Sequence, residues 1–115
     1  MHNVLIILND PPYGTERSYN GLRLAKALSG KDAQVTVFLL ADAVACAKQG
    51  QKVPQGFYSI ELMTKSAVRN GKVLACGTCM DARGLADNEM VDGAERSTMQ
   101  VLADYTLNAD RVLVF

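Results

Sequence analysis

The sequence predicts an α/β protein, a three-layer α/β/α sandwich built on a mostly parallel sheet. Short apolar segments of strand length alternate with longer segments of helical periodicity along the 115 residues. The apolar segments are continuous rather than alternating, which is typical of strands buried on both faces of a parallel sheet. Since 49% of the residues are apolar, the length fits one domain, residues 1–115, with a core of its own.

The first three predicted elements form a βαβ unit. Val4–Leu8 is an apolar run that predicts the first strand, and a loop rich in proline follows it. Residues 15–28 have apolar side chains at helical spacing, and Gly30 is expected to end that helix. Gln34–Leu40 is rich in β-branched residues and predicts the second strand. Such units are almost always right-handed, so the two strands should be parallel.

The middle of the chain leads to a third strand. Residues 42–47 predict a short helix, residues 49–56 a loop, and residues 58–69 a longer helix that ends near Asn70-Gly71. Residues 72–76 (Lys-Val-Leu-Ala-Cys) predict the third strand. This strand therefore ends on a thiol.

The last part of the chain contains weaker signals and one clear strand. Residues 80–84 predict a single helical turn, and residues 89–91 at most a short strand. Residues 97–107 predict a helix with Ser97 as its N-cap, and residues 111–115 predict the final strand. In such sheets reactive groups gather in the loops at the carboxyl ends of the strands.

The charge balance disfavours two function classes. Twelve basic and twelve acidic residues give a formal net charge of zero, which provides no long-range attraction to nucleic acid or acidic membranes. A neutral surface also permits self-association. The N-terminal residues show no basic leader and no cleavage site, and the first apolar run is too short to span a bilayer. We expect a cytoplasmic location without direct nucleic-acid or membrane binding.

Chemistry is expected on Cys76 and Cys79. Three cysteines, an odd number, do not make a disulfide framework, and spaced cysteines in a reducing compartment suggest redox, sulfur or metal chemistry. A Cys-x-x-Cys at a strand-to-helix junction lies near free backbone N–H groups, which favour the thiolate. Such surroundings lower a thiol pKa from about 8.5 to roughly 3.5–7.5.

The residues around these cysteines have candidate supporting roles. Gly77 and Gly84 would let the backbone approach a sulfur or a partner closely. Arg83 would add a positive charge, whereas Asp81 would either oppose that charge or cap the turn and hold the loop.

The loop after the first strand is the second candidate region. Residues 9–16 (Asn-Asp-Pro-Pro-Tyr-Gly-Thr-Glu) have no phosphate-loop motif and also fit a simple rigid turn. Asp10 is a candidate acid or a solvated charge. Tyr13, followed by Gly14 and Thr15, either lines a pocket or covers the edge of the sheet.

Three other interpretations of the cysteines remain open. A zinc site needs four ligands, and only Cys46 and His2 are available beside the pair, so a metal site is not expected. A thioredoxin-type pair is disfavoured by the absence of tryptophan and by the order of elements. The third interpretation is cysteines that merely pack, and Cys46, between two alanines, fits that role best.

Several motifs together resemble the DsrE/DsrF/TusD sulfur-relay family, and most of all its YchN-like branch. They are the Pro-Tyr-Gly loop at 9–16, the Gly-Gln-Lys stretch at 50–52, the Cys-x-x-Cys-x-Asp-x-Arg-Gly loop at 76–84, and the terminal segment 109–115. The resemblance implies a DsrE-like fold with a five-stranded sheet, flavodoxin-like in appearance. It also implies assembly into trimers or hexamers, and sulfur-donor and sulfur-acceptor proteins as partners.

The resemblance assigns a role to each thiol and calls for no cofactor. In the relay members one cysteine accepts sulfur as a persulfide, and the position of the closing Arg-Gly matches that cysteine to Cys76. Cys79 has no counterpart in several relay members, and it would resolve a persulfide on Cys76 into a disulfide with release of sulfide. The first hypothesis is therefore a persulfide carrier whose pocket includes Asp10 and Tyr13. The alternative is a thiol-disulfide switch or an oligomeric binding module without sulfur turnover.

Overall fold

The computed structural model describes residues 1–115 and contains one five-stranded sheet in which every pairing is parallel. The strand order is β4-β3-β2-β1-β5. The strands are β1 (His2–Leu8), β2 (Ala33–Leu39), β3 (Gly71–Cys76), β4 (Ala94–Ser97) and β5 (Arg111–Val114). The predicted α/β class and the five-stranded sheet are confirmed.

Helices cover both faces of the sheet. They are α1 (Arg17–Ser29), α2 (Ile60–Asn70), α3 (Gly77–Ala82) and α4 (Met99–Asn108), and Ala41–Ala47 and Asp87–Glu89 form 3-10 segments. The chain steps from β1 to β4 in one direction and then returns across the sheet to β5. With right-handed connections, α1, α2 and α3 lie on one face and α4 lies on the other. None of these helices combines the length and the apolar character needed to cross a membrane.

The core is centred on the three inner strands. Ile6, Val37 and Phe38 are completely inaccessible to solvent, and β2 is buried from Val35 to Leu39. Strands that bury both faces need apolar residues at consecutive positions, which explains the continuous runs in the sequence. These inner strands position the loops at their carboxyl ends.

Two predicted elements are placed differently in the structure. The strand predicted at 89–91 is wrong, since the fourth strand is β4 and Met90 takes part only in an isolated bridge with Lys48. β4 is an edge strand in which Glu95 and Arg96 are exposed. Its sequence therefore contains no apolar run from which a strand could be predicted. The helical turn predicted at 80–84 is α3, which starts directly after β3.

Three helices begin two residues later than predicted, and two of them, α2 and α4, start at a side-chain N-cap. Ser97 ends β4, and Thr98 caps α4 by accepting a hydrogen bond from Val101 N–H at 3.3 Å. Ser59 caps α2 in the same way, so Tyr58 lies in the preceding loop. The hydroxyl of Thr15 accepts a hydrogen bond from the N–H of the first residue of α1. Ser59 and Thr98 are N-caps whose side-chain oxygen satisfies a free N–H of the first turn, whereas Glu16, the N-cap of α1, makes no such bond.

Candidate functional site

The carboxyl ends of β3 and β2 meet through a contact between a thiol and a backbone amide. Cys76 is the last residue of β3, and Ala41 follows β2. The Sγ atom of Cys79 accepts a hydrogen bond from Ala41 N–H at 3.2 Å. Because β2 and β3 are neighbours, the two loops form one continuous surface at the edge where α/β proteins place their reactive groups.

Cys76 is held as the more acidic thiol of the pair. It occupies the N-cap position of α3 and is 5% exposed, and its Sγ lies 3.2 Å from Thr78 Oγ1. Burial opposes ionisation of this thiol. Hydrogen bonds outweigh the effect of burial and lower the pKa of Cys76 below its ordinary value. They come from the Thr78 hydroxyl, the Cys79 thiol and the backbone N–H groups of both residues. The structure therefore favours the thiolate at Cys76.

Cys79 is shifted in the opposite direction. Burial and the proximity of Cys76 raise the pKa of Cys79, although Ala41 N–H and the charge of Arg83 act against this rise. Of the two sulfurs, Cys76 is thus the one that ionises first, and Cys79 remains a protonated thiol beside it. This division suits a nucleophile and a second, resolving thiol.

Ala41 adopts an unusual backbone conformation at this contact. Its φ angle is +50°, in the left-handed region that residues with a side chain rarely occupy. Such conformations cost about 1–3 kcal/mol and cluster at functional sites. Here the conformation accompanies an N–H group that points at the sulfur of Cys79.

Arg83 secures the end of α3. Its Nε lies 2.8 Å from the carboxylate of Asp42, and its Nη1 donates to the carbonyl of Cys79 at 3.0 Å. The positive charge that the sequence predicts near the thiols is therefore present. It is directed toward Asp42 and the α3 backbone, and none of its hydrogen bonds reaches Cys76.

Arg96 is a component of the site that sequence reasoning missed. It extends from β4 and donates to three groups: the Asp81 carboxylate at 2.9 Å, the Asp87 carboxylate at 2.8 Å and the Gly77 carbonyl at 3.1 Å. Both carboxylates raise the pKa of Arg96. Asp81 thus pairs with Arg96 rather than with Arg83, and through Arg96 it is linked to the Gly77 carbonyl of the cysteine loop. No signal in the sequence links Arg96 to the cysteines, since its strand was not predicted.

The two glycines of the cysteine loop serve different purposes. A Cβ atom on Gly77 would lie 2.8 Å from Nη1 of Arg96, so the missing side chain admits the guanidinium. Gly84 has a φ of +67° with open space around it, and it turns the chain after α3. Gly77 thus makes room for Arg96 of the same chain, whereas Gly84 serves the turn, and a close approach of either glycine to a sulfur or a partner stays a prediction.

Asp10 is occupied by contacts within the first loop. Its carboxylate accepts a hydrogen bond from the Thr15 hydroxyl and lies 3.6 Å from Nη1 of Arg17. Its carbonyl accepts from the Ser18 hydroxyl at 2.7 Å. None of these contacts reaches the cysteine pair within the chain.

Tyr13 joins the first loop to the start of α2. Its hydroxyl donates to the Tyr58 carbonyl at 3.1 Å and accepts from Ile60 N–H at 2.9 Å, and its ring stacks on Tyr58. Its φ angle is +67°, a second left-handed residue at a strand end. Next to it, a Cβ atom on Gly14 would lie 2.8 Å from Pro11 Cγ. The structure therefore separates the two predicted clusters, one at Tyr13 and one at Cys76.

Cys46 lies in the core beneath the first loop, and its thiol donates to the Asp10 carbonyl at 3.8 Å. It is completely buried, and burial raises the pKa of its thiol to about 12. His2 lies at the opposite end of the sheet, beside Arg111. The structure contains no group of three or more His, Cys, Asp or Glu side chains that could hold a metal ion.

The whole chain is similar to proteins of one family. The DsrE/DsrF-like family matches residues 2–115. Protein YchN of Escherichia coli (strain K12) is 38% identical over 117 residues, covering 100% of both chains, and an uncharacterized protein of Methanocaldococcus jannaschii is 35% identical over 111 residues, covering 96% of both.

Two solved structures are similar to this chain over nearly its whole length. The crystal structure of the E. coli ychN protein superposes with a TM-score of 0.93 at 40% identity over 100% of both chains. A protein of unknown function from Methanobacterium thermoautotrophicum superposes at 0.76 with 11% identity, covering 98% of this chain and 99% of that one. At 11% identity the second likeness concerns the fold alone.

Proposed function

Because this chain belongs to the DsrE/DsrF-like family, we propose that it is an intracellular sulfur-transfer protein that carries a persulfide on Cys76. The observation that carries this proposal is the arrangement around Cys76 at the end of β3. The Thr78 hydroxyl, the Cys79 thiol and nearby N–H groups lower the pKa of Cys76 despite its burial. Attack on sulfur needs the thiolate, and the lowered pKa of Cys76 increases the fraction of this thiol that is ionised.

Sulfur uptake is a displacement at sulfur. The Cys76 thiolate attacks the outer sulfur of a donor persulfide, R–S–SH. A new S–S bond forms at Cys76 while the donor S–S bond breaks, and the donor leaves as its thiolate R–S⁻. An acceptor thiolate then attacks the outer sulfur on Cys76 in the same way, which regenerates the Cys76 thiolate. The transfer needs neither an oxidant nor a cofactor.

Cys79 allows a second reaction of the persulfide on Cys76. If the Cys79 thiolate attacks Sγ of a persulfidated Cys76, a Cys76–Cys79 disulfide forms and hydrogen sulfide leaves as HS⁻. A thiol reductant would then be needed to reset the pair. The raised pKa of Cys79 slows this attack at neutral pH and so favours transfer over release.

A thiol-disulfide switch is the second candidate function. It is favoured by one observation, the proximity of the two sulfurs, each of which shifts the pKa of the other. In this alternative a small oxidant would form the disulfide and change the surface at α3, with no sulfur turnover.

We also propose that the protein works as a homo-oligomer, a trimer or hexamer, with sulfur-donor and sulfur-acceptor proteins as partners. Apolar side chains are exposed on the edge strand β5 and at the end of α4, namely Val112 (38%), Val114 (65%) and Leu107 (85%). Exposed edge strands and apolar patches are common contact surfaces. In such an assembly the first loop, with Asp10, Tyr13, Gly14 and Thr15, would approach the cysteines of a neighbouring subunit.

Intact-protein mass spectrometry tests the carrier directly. The protein is incubated with a cysteine desulfurase and cysteine, as wild type, Cys76→Ser and Cys79→Ser. The carrier predicts a gain of one sulfur atom in wild type and in Cys79→Ser, and none in Cys76→Ser. Sulfur uptake by Cys76→Ser would remove Cys76 from the mechanism, and loss of two hydrogens under oxidant without any sulfur gain would favour the switch.

A further inference from the structure

Arg96 reaches the cysteine loop from the neighbouring strand. In the register of β3 and β4, Arg96 is paired with Ala75 and Ser97 with Cys76. The side chain of Arg96 extends past this level, and its Nη1 donates to the carbonyl of Gly77 at 3.1 Å. The guanidinium therefore bonds to the residue that directly follows Cys76.

Residue 77 is a glycine at the point where Arg96 crosses it. A Cβ atom there would lie 2.8 Å from Nη1, 3.0 Å from Cγ and 3.3 Å from Cδ of Arg96. The other two nitrogens of the guanidinium are held by Asp81 at 2.9 Å and by Asp87 at 2.8 Å. Two ion pairs and the missing side chain thus keep Nη1 on the Gly77 carbonyl.

The peptide group between Gly77 and Thr78 links Arg96 to Cys76. No peptide bond of the chain is cis, and the C=O and N–H of a planar trans peptide point in opposite directions. Thr78 lies in the first turn of α3, where free N–H groups point back toward the N-cap, here Cys76. Because Arg96 holds the carbonyl, it also sets the direction of the Thr78 N–H.

Thr78 brings two donors to the thiol. Its hydroxyl lies 3.2 Å from Sγ of Cys76, and its N–H is among the groups that lower the pKa of this thiol. A cation bonded to a peptide carbonyl polarises the peptide and makes its N–H a stronger donor. The contact of Arg96 with Gly77 therefore both orients and strengthens a group that stabilises the thiolate.

No charged side chain of the loop forms a hydrogen bond to Cys76 itself. Arg83 bonds to Asp42 and to the Cys79 carbonyl, and the two carboxylates beside β4 bond to Arg96. The titratable group that faces Cys76 is the thiol of Cys79, which holds its proton more tightly. An effect of Arg96 on Cys76 thus has to pass through the backbone between them.

We propose that Arg96 is a positioning residue for the Cys76 thiolate and acts on it through the Gly77–Thr78 peptide. Arg96 does not touch the sulfur. Its guanidinium keeps the peptide carbonyl on one side and the donors of Thr78 on the side of Cys76. The inference rests on the proposed function for its purpose, since sulfur transfer uses the thiolate. It can be tested separately, because the acidity of Cys76 is measured without a sulfur donor.

The pH–rate profile of iodoacetamide alkylation at Cys76, read by peptide-level mass spectrometry, tests this role. Arg96→Met removes the three contacts of the guanidinium, so the profile should move to higher pH by roughly half a unit or more, about threefold in the ionisation constant. Lys48→Met is the matched control. It also removes one positive charge and one ion pair, but its ammonium bonds to Glu89 rather than to Gly77, and its profile should match wild type.

The amide of Thr78 provides a readout inside the peptide. In ¹⁵N-labelled protein its signal should move in Arg96→Met and stay in place in Lys48→Met. Gly77→Ala tests the same contact from the other side, because its methyl group displaces the guanidinium. The Cys76 profile should then move in the same direction as in Arg96→Met, and this variant decides the question if Arg96→Met does not fold.

A folded Arg96→Met with the alkylation profile of wild type would overturn the proposal, even if the variant is less stable, since a merely structural ion pair predicts lost stability alone. An equal shift in Lys48→Met would also overturn it, because the effect would then be one of net charge. Sulfur uptake from a cysteine desulfurase is measured on the same proteins. No uptake by wild type would refute persulfide transfer, and the shift of the Cys76 profile would still decide the role of Arg96.

Discussion

The backbone N–H of Ala41 donates a hydrogen bond to Sγ of Cys79 over 3.2 Å, and so the loop after β2 holds the second thiol of the motif. This contact fixes the position of Cys79, whereas burial and the proximity of Cys76 are what raise the pKa of Cys79. Cys79 is fixed in place and remains protonated, and it can support the thiolate of Cys76.

Replacing Cys79 should change the acidity of Cys76. Cys79→Ala removes a thiol that stabilises the Cys76 thiolate, so the pKa of Cys76 should rise and its pH–rate profile of iodoacetamide alkylation should move to higher pH. Cys79→Ser keeps a hydroxyl donor and serves as the matched control, with a smaller shift. Peptide-level mass spectrometry distinguishes Cys76 from Cys46. Identical profiles for wild type and Cys79→Ala would contradict this account.

The contact between Arg96 and Gly77 should give a coupling energy between the two residues in a double-mutant cycle of unfolding free energies. Arg96→Met removes hydrogen bonds to Gly77, Asp81 and Asp87, and the free energy of unfolding should decrease. Gly77→Ala places a methyl group against Arg96 and should disturb the same contacts.

The double variant should therefore lose less stability than the sum of the two single losses. Urea denaturation of all four proteins measures this difference. Strictly additive losses would show that the two residues act independently.

Cys46 should make the protein sensitive to alkali. Its pKa is raised from 9.0 to about 12 in the folded state, so the folded protein keeps the proton that the unfolded chain releases. The stability linked to this group is fully present below pH 9 and is lost as the pH rises toward 12, by about 1.4 kcal/mol per pH unit.

Cys46→Ala should lack this component. The measurement is the difference in unfolding free energy between the two proteins at several pH values from 8.5 to 11.5. A difference that stays constant over this range would exclude the buried thiol as its cause.

Two buried threonines should respond oppositely to valine. The hydroxyl of Thr64 donates to the carbonyls of Cys46 and Ile60 at 3.0 and 2.9 Å, so Thr64→Val should cost about 1 kcal/mol. The hydroxyl of Thr36 has no partner in the protein, and Thr36→Val should leave the stability unchanged or raise it. Thermal unfolding of both variants provides the comparison. A loss for Thr36→Val as large as that for Thr64→Val would reveal a hydrogen bond that the structure does not contain.

The buried parts of the fold could be predicted from the sequence, and the edges could not. β1, β2 and β3 are covered on both faces, so they need continuous apolar runs, and such runs can be recognised in the sequence. β4 has the sequence Ala-Glu-Arg-Ser at an edge, and its pairing depends on β3 rather than on its own residues. Strand pairing of this kind is a tertiary effect.

The candidate site was predictable only where its residues are close in sequence. The pair Cys76 and Cys79 lies in one loop, and so its likeness to a known motif is visible in the chain. Arg96 reaches the same loop from 19 residues away, through a strand that no local pattern indicates. Asp10 and Tyr13 belong to the same edge of the sheet, yet their partners are Thr15 and Tyr58, which the loop sequence does not reveal.

The direct passage from β3 into α3, with Cys76 as the last residue of the strand and Gly77 as the first of the helix, has a consequence for variation among relatives. A longer loop, such as residues 48–59 before α2, can absorb an extra or a missing residue. At this junction no spare residue exists, so an insertion or deletion would rotate Cys79 around the helix by about 100°, away from Ala41. Length changes should therefore be tolerated in the loop before α2 and rejected between the two thiols.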